Sequence, residues 1–351
     1  MKYKCTTMLA SSMLAATLLA LPASANESSG GSTGSGESAR SGPGGPALST
    51  DAEPIAPLEL KDEGVETRDL DLDPGKLERD FGTVSRSRNG EEKRAPASDA
   101  VKRALGGEQS MNPGTDPAFK EGDTRQVFGD DDRVQITDSS PYPFRSIGLL
   151  QGETKDGGVG NCSATLIGPR TVLTAAHCLY SHEDGWLDNF IFAPGLLDMQ
   201  TAPFGAYEYE TAHIFEGFVT NYKGYYGSVV PWDIGIVVLQ KPIGEQVGWM
   251  AYGYDNDLQG FFANIIGYPG DKPAGTMWRA NCDVPQQALA DMYFQYLCDT
   301  FPGSSGSAVY KYTPENDERT IFGINVAESP NANTAVRINP MYFQWLQGLV
   351  K

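Results

Sequence analysis

Histidine and cysteine are scarce in this chain of 351 residues, with three of the first and five of the second. No His-Glu-x-x-His pair and no Cys-x-x-Cys spacing occurs, so the usual signatures of a zinc hydrolase or a structural zinc site are missing. Positive charge is also short, with 27 Lys and Arg against 45 Asp and Glu and a formal net charge of -18. Phosphate backbones are held by clustered basic side chains, so this balance excludes nucleic acid as a partner. Beyond the first 25 residues no apolar run approaches the ~20 residues needed to span a bilayer, so no membrane association is expected of a chain that has lost them.

The first 25 residues do hold one apolar run. Two lysines within Met1–Lys4 precede it, it extends over about 8–21, and Ala23-Ser24-Ala25 closes it, the pattern of a secretory leader with its cleavage site after Ala25. Export is therefore expected, to the outside of the cell or through a periplasm. Cys5 would leave with the leader. The remaining Cys162, Cys178, Cys282 and Cys298 allow three pairings, and an oxidising compartment favours disulfides. The short-loop solution, Cys162 with Cys178 and Cys282 with Cys298, is preferred.

Residues 27–46 are dominated by Gly and Ser, and residues 50–125 are charged, poor in aromatics and broken by prolines. Such composition buries too little apolar surface to offset ordering entropy, so 26–125 is expected to be a largely irregular, flexible and removable prosegment. The texture then changes. Short β-rich runs at 163–167, 171–174, 233–239, 263–266, 308–310 and 320–324 are separated by Gly, Pro, Asn and Asp, which predicts an all-β barrel or sandwich over 126–351. At the end, Asn339 and Pro340 predict the start of a helix with Met341, Trp345, Leu349 and Val350 on its apolar face.

Three short segments carry chemistry. Thr174-Ala175-Ala176-His177-Cys178 follows a strand-like run, and a disulfide at Cys178 would pin the backbone beside an imidazole able to act as a general base. Gly303-Ser304-Ser305-Gly306-Ser307 lets the chain turn sharply and aim the N–H groups of Gly303 and Ser305 at one point, as an oxyanion hole requires. Asp233 opens an otherwise apolar strand, where it could orient His177; Asp184, Asp188 and Asp198 are its rivals, all in loop-like surroundings. The order His177, Asp233, Ser305 is that of chymotrypsin, whereas an α/β-hydrolase runs Ser, Asp, His.

On these residues the region 126–351 resembles the bacterial glutamyl endopeptidases, a branch of the chymotrypsin-like serine protease superfamily. Gly129-Asp130-Asp131-Asp132-Arg133, the stretch 162–180, Gly267-Tyr268-Pro269-Gly270-Asp271-Lys272 and the stretch 299–307 carry the likeness. The resemblance implies a chymotrypsin-like double β-barrel with the site between the barrels, to which the C-terminal α-helix read above is added. It also implies that the mature chain begins near Gln126 or Val127, after a cut following Arg125. Family members read a substrate carboxylate with a threonine, matched by Thr300, and a histidine, whose place is held here by Asn325. Asp299 stands six residues before Ser305, where trypsin-like enzymes place the aspartate that binds Arg or Lys.

The expectation is a secreted, monomeric serine endopeptidase acting on peptide or protein substrates, held by its own prosegment before activation. Its preference is left open between Glu or Asp and Arg or Lys. No cofactor or metal is expected; Asp130, Asp131 and Asp132 are read as a solvated acidic loop rather than a calcium site. The competing class is a protease-like binding or adhesion protein without turnover, against which the three intact segments speak.

Overall fold

The computed structural model describes residues 45–60, 74–106 and 127–351. The leader expected at 1–25 and the cut expected after Arg125 lie outside the described residues. In chain order the first elements are β1 (Glu53–Pro54), β2 (Leu58–Glu59), α1 (Pro74–Asp80), β3 (Thr83–Ser87), β4 (Glu92–Ala95) and α2 (Asp99–Leu105). There follow β5 (Val134–Ile136), β6 (Ile147–Glu153), β7 (Val159–Leu166), β8 (Thr171–Thr174), β9 (Tyr180–Ser181), β10 (Gly185–Trp186), β11 (Asp188–Pro194), β12 (Tyr207–Phe215), α3 (Glu216–Thr220), β13 (Gly235–Leu239) and α4 (Gly244–Val247). The last group is β14 (Ala251–Tyr252), β15 (Phe261–Gly267), β16 (Met277–Val284), β17 (Tyr293–Tyr296), β18 (Ala308–Thr313), β19 (Glu318–Glu328), β20 (Asn333–Arg337) and α5 (Pro340–Leu349).

Every residue of β13 is buried, so its sequence reads as a continuous apolar run rather than an alternation. It lies between β8 and β12 in a sheet ordered β11-β6-β7-β8-β13-β12, and pairing of β11 with β12 closes that sheet into a barrel. The second sheet runs β17-β20-β19-β18-β15-β16-β5. The Cys282–Cys298 disulfide ties β16 to the segment just after β17, and Cys162–Cys178 ties β7 to the turn that follows β8. The architecture is the expected double barrel. Strands end later than their apolar runs suggest: β19 continues through Glu328 because its ladder with β20 carries polar residues past the apolar centre.

The N-terminal segment is more ordered than its composition implies. Leu77, Phe81, Val84, Ala97 and Val101 are all buried, and they belong to the core of the first barrel. Too few to form a core alone, they complete one. Strand β3 pairs with β12 over Thr83–Ser87, and Phe81 sits edge-on to Phe215 and Trp232, with ring centroids 5.3 and 4.8 Å away. Helix α2 is capped by Ser98, whose hydroxyl accepts from Val101 N–H at 3.3 Å.

Helix α5 begins as the sequence predicts. Asn339 Oδ1 accepts from the N–H groups of Met341 and Tyr342 at 3.0 and 3.2 Å, satisfying two of the donors a helix start leaves unpaired. Its buried face is Met341, Tyr342, Trp345 and Leu346. Leu349 and Val350 are only half-buried, because the chain leaves the helix there. Among the described residues no helix is long and apolar enough to cross a membrane.

Candidate active site

Strands β8 and β13 are neighbours, with Thr174 opposite Gly235, so the turn after β8 meets the turn before β13. The first turn carries His177 and the second Asp233. His177 Nδ1 lies 2.6 Å from Asp233 Oδ2, and the backbone N–H of His177 donates to Asp233 Oδ1 at 2.9 Å. One fully buried carboxylate thus fixes both the ring and the backbone of the histidine. With Nδ1–H donated to the carboxylate, the other ring nitrogen, Nε2, carries the ring's lone pair. Nε2 is buried without a hydrogen-bond partner, and so is Ser305 Oγ.

Ser305 belongs to the second barrel's half of the cleft, in the loop before β18, and the first barrel holds that loop in place. Ser163 N–H donates to the Ser305 carbonyl at 2.9 Å, and Ser163 Oγ donates to the Gly303 carbonyl at 2.8 Å. The two glycines of the loop are dictated by its conformation. Gly303 and Gly306 have φ of +95° and +82°, and a Cβ on Gly306 would fall 2.2 Å from Thr174 Oγ1. Asn325 fastens the loop from behind: its Nδ2 donates to the Ser304 carbonyl at 3.2 Å, its N–H to the Ser307 carbonyl at 2.9 Å, and its own carbonyl accepts from Gly306 N–H at 2.8 Å.

Residues 162–315, which span this arrangement from the first disulfide to beyond the serine loop, match the family model described as a trypsin-like peptidase domain. That match takes in less than half of the chain. A glutamyl endopeptidase of Bacillus licheniformis is 34% identical over 190 residues, which are 53% of this chain and 55% of that protein. This chain therefore spans little more than half the length of that relative. A Bacillus subtilis protein named extracellular metalloprotease is 28% identical over 225 residues, covering 63% of this chain and 68% of its own. Among solved structures, that of a Glu endopeptidase in complex with MPD is similar with a TM-score of 0.54 at 24% identity, over 63% of this chain and 98% of the other. That likeness speaks to the fold.

The rival acids lie elsewhere: Asp188 accepts from Arg86 at 3.2 Å, Asp198 caps its own turn through Gln200 N–H at 2.8 Å, and Asp184 lies in the β9–β10 turn, its N–H donating to Ser181 Oγ. The other two histidines have partners of their own. His182 stacks on Tyr222 with ring centroids 4.1 Å apart and its Nε2 donates to the Phe218 carbonyl at 2.7 Å. His213 lies between Ser85 Oγ and Thr211 Oγ1, and burial pushes its pKa down to about 4.

Of the three residues expected to set specificity, Thr300 is buried beside the serine loop. Asp299 does not stand free: Oδ1 accepts from Phe128 N–H at 2.8 Å and Oδ2 from Asp132 N–H at 3.2 Å. Its carboxylate anchors the segment after 127, and burial raises its pKa against the pull of those two donors. Asn325 gives its side-chain oxygen to Tyr296 and its nitrogen to the serine loop, so its amide is committed within the protein. Neither partnership could be read from spacing, because the partners lie far away in sequence.

The acidic run also has internal partners. Asp131 accepts from Arg133 Nε at 2.8 Å and from Lys272 Nζ at 2.5 Å, and Arg133 reaches Asp271 as well. These cations hold the Asp131 carboxyl well below the usual range. A carboxylate so compensated is a poor start for a calcium cage. Among the described residues the one close group of metal-ligand types is Cys162, His177 and Cys178, whose cysteines are joined to each other.

A feature without a sequence signal completes the site. The Gly303 N–H, one of the expected oxyanion donors, gives its hydrogen bond to the carbonyl of Ile55 at 3.2 Å. Beside it lies a cavity of about 650 Å³ lined by His177, Tyr180, His182 and Tyr226, and by residues 55–59 of the N-terminal segment. Backbone pairing with distant strands helps to bring that segment here, and composition does not report backbone pairing.

Proposed function

We propose that this chain is the precursor of a secreted serine endopeptidase, in which Ser305 attacks the peptide carbonyl and His177 takes its proton. Asp233 orients His177 and stabilises the imidazolium; the N–H groups of Gly303 and Ser305 receive the oxyanion; water then releases the acyl-enzyme. The observation that carries the reading is the double hold of Asp233 on His177, through Oδ2 to the ring and Oδ1 to the backbone. A structural histidine gains little from such an arrangement, whereas a base that must keep one tautomer needs it. Residues 1–25 act as the leader and 26–125 as the prosegment, with the mature domain starting after Arg125.

The preferred cut follows an acidic residue. The Bacillus licheniformis relative is named for that activity, and Asp299 has both oxygens on backbone donors rather than free for an Arg or Lys of the substrate. Digestion of a mixed peptide library by the activated protein, with Ser305→Ala as blank and cut ends read by mass spectrometry, tests both levels. Cuts after Glu or Asp are expected. Cuts after Arg or Lys would return Asp299 to the pocket, and equal digestion by pure Ser305→Ala would refute the catalytic assignment.

A further inference from the structure

Residues 48–60 cross the cleft from one barrel to the other. On the first barrel, Ser49 exchanges two hydrogen bonds of 2.9 Å with the Gln151 side chain, and Asn161 Nδ2 donates to the Ala52 carbonyl at 3.1 Å. Strand β1 then pairs with β7, Glu53 beside Gly160 and Pro54 beside Asn161, and Ile55 N–H donates to the Asn161 carbonyl at 2.9 Å. The Ile55 carbonyl takes the Gly303 donor at 3.2 Å. On the second barrel, β2 pairs with β19, Leu58 beside Ala327 and Glu59 beside Glu328, and Leu60 N–H reaches the Glu328 carbonyl at 2.7 Å. Leu58 and Leu60 are each 3% exposed. The walls fit the segment closely: a Cβ on Gly270 would fall 2.2 Å from Pro54 Cγ, and one on Gly160 would fall 2.7 Å from Ile55 Cγ1.

Both pairings are parallel. Antiparallel ladders are the stronger of the two, and a chain crossing in the opposite sense would pair antiparallel with β7 and with β19 alike. We propose that residues 48–60 form an inhibitory strap that fills the cleft in the reverse sense to a productive substrate, occupying the Gly303 donor and both walls while being itself resistant to cleavage. This rests on the peptidase reading above. The strap is held by hydrogen bonds and burial along the cleft, and the β3–α2 module anchors the same segment on the first barrel. A cut after Arg125 breaks none of these contacts, so it does not by itself open the site; the segment must also be displaced.

The uncut chain serves for the test, with Arg125→Gln to keep the segment covalently attached. Labelling of Ser305 by a fluorophosphonate probe is compared with that of a variant carrying Leu58→Asp and Leu60→Asp, which places charge on the buried side of β2. A second strap variant, Pro54→Arg, overfills the contact at Gly270 without touching the barrel cores. A tethered segment acts at an effective concentration of order millimolar, so the intact strap should slow labelling by about tenfold or more. A fluorescent peptide of sequence 48–60 should bind the loosened variants but not the parent, slow their labelling again and be recovered uncut. Labelling of Ser305 that occurs at the same rate in the parent and both variants overturns the proposal, as does cleavage of the peptide. Peptide binding by the loosened variants with no Ser305 labelling in any of them would support the strap and sink the peptidase reading alone.

Discussion

Asp233 is fully buried and spends both oxygens on His177, one on the ring and one on the backbone. Asp233→Asn keeps the shape and an acceptor for the backbone N–H, but its amide nitrogen favours the tautomer with the proton on Nε2, where a base must be free. The expected loss in kcat is about 10⁴-fold with KM little changed. Steady-state kinetics of the activated variant check this, and a loss below about tenfold would contradict the role. At this scale the meeting of His177 with Asp233 and the sharp turn at Ser305 were legible because each residue sits in a short local pattern: a Cys beside the histidine, an apolar strand after the aspartate, glycines around the serine. Asp299 and Asn325 were not legible in the same way. Their side chains answer to Phe128, Asp132, Tyr296 and Ser304, contacts that depend on how distant loops fold together.

Among the elements, the short stretch from α1 to α2 is where composition and structure diverge most. Its apolar residues are sparse, yet Phe81 is fully buried against Phe215, Trp232 and Tyr342, and Trp345 Nε1 donates to Thr83 Oγ1 at 2.9 Å. A segment of this kind reads as irregular because its partner face belongs to another part of the chain. Phe81→Ala in the uncut chain removes a ring from a closed aromatic cluster and is expected to cost about 3 to 5 kcal/mol. Denaturant unfolding measures it; a loss under about 1 kcal/mol would mean the module is a loosely held cover rather than part of the first barrel's core. The central strands were legible from their apolar runs, β8 to the residue. Strands such as β16, with polar residues in its middle, and β19, with polar residues at its ends, depended on ladder partners that spacing does not reveal.

For the molecule as a whole, the double barrel followed from two kinds of information: closely spaced β-runs over 126–351 and the chain order of the three chemical segments. What did not follow was the occupied cleft, since nothing in the residues 48–60 resembles an inhibitor when read as a sequence. The relative named extracellular metalloprotease sets the alternative that most needs a decision, between serine and metal chemistry. The chain offers donors for the first, and among the described residues Asp131 is paired to Arg133 and Lys272 rather than free for the second. The deciding measurement is mass spectrometry of the activated protein after a fluorophosphonate reagent, run beside hydrolysis assays with and without a chelator. The account predicts a single adduct on Ser305, absent in His177→Ala, and hydrolysis unchanged by the chelator; hydrolysis that persists with no adduct and stops on metal removal would contradict it.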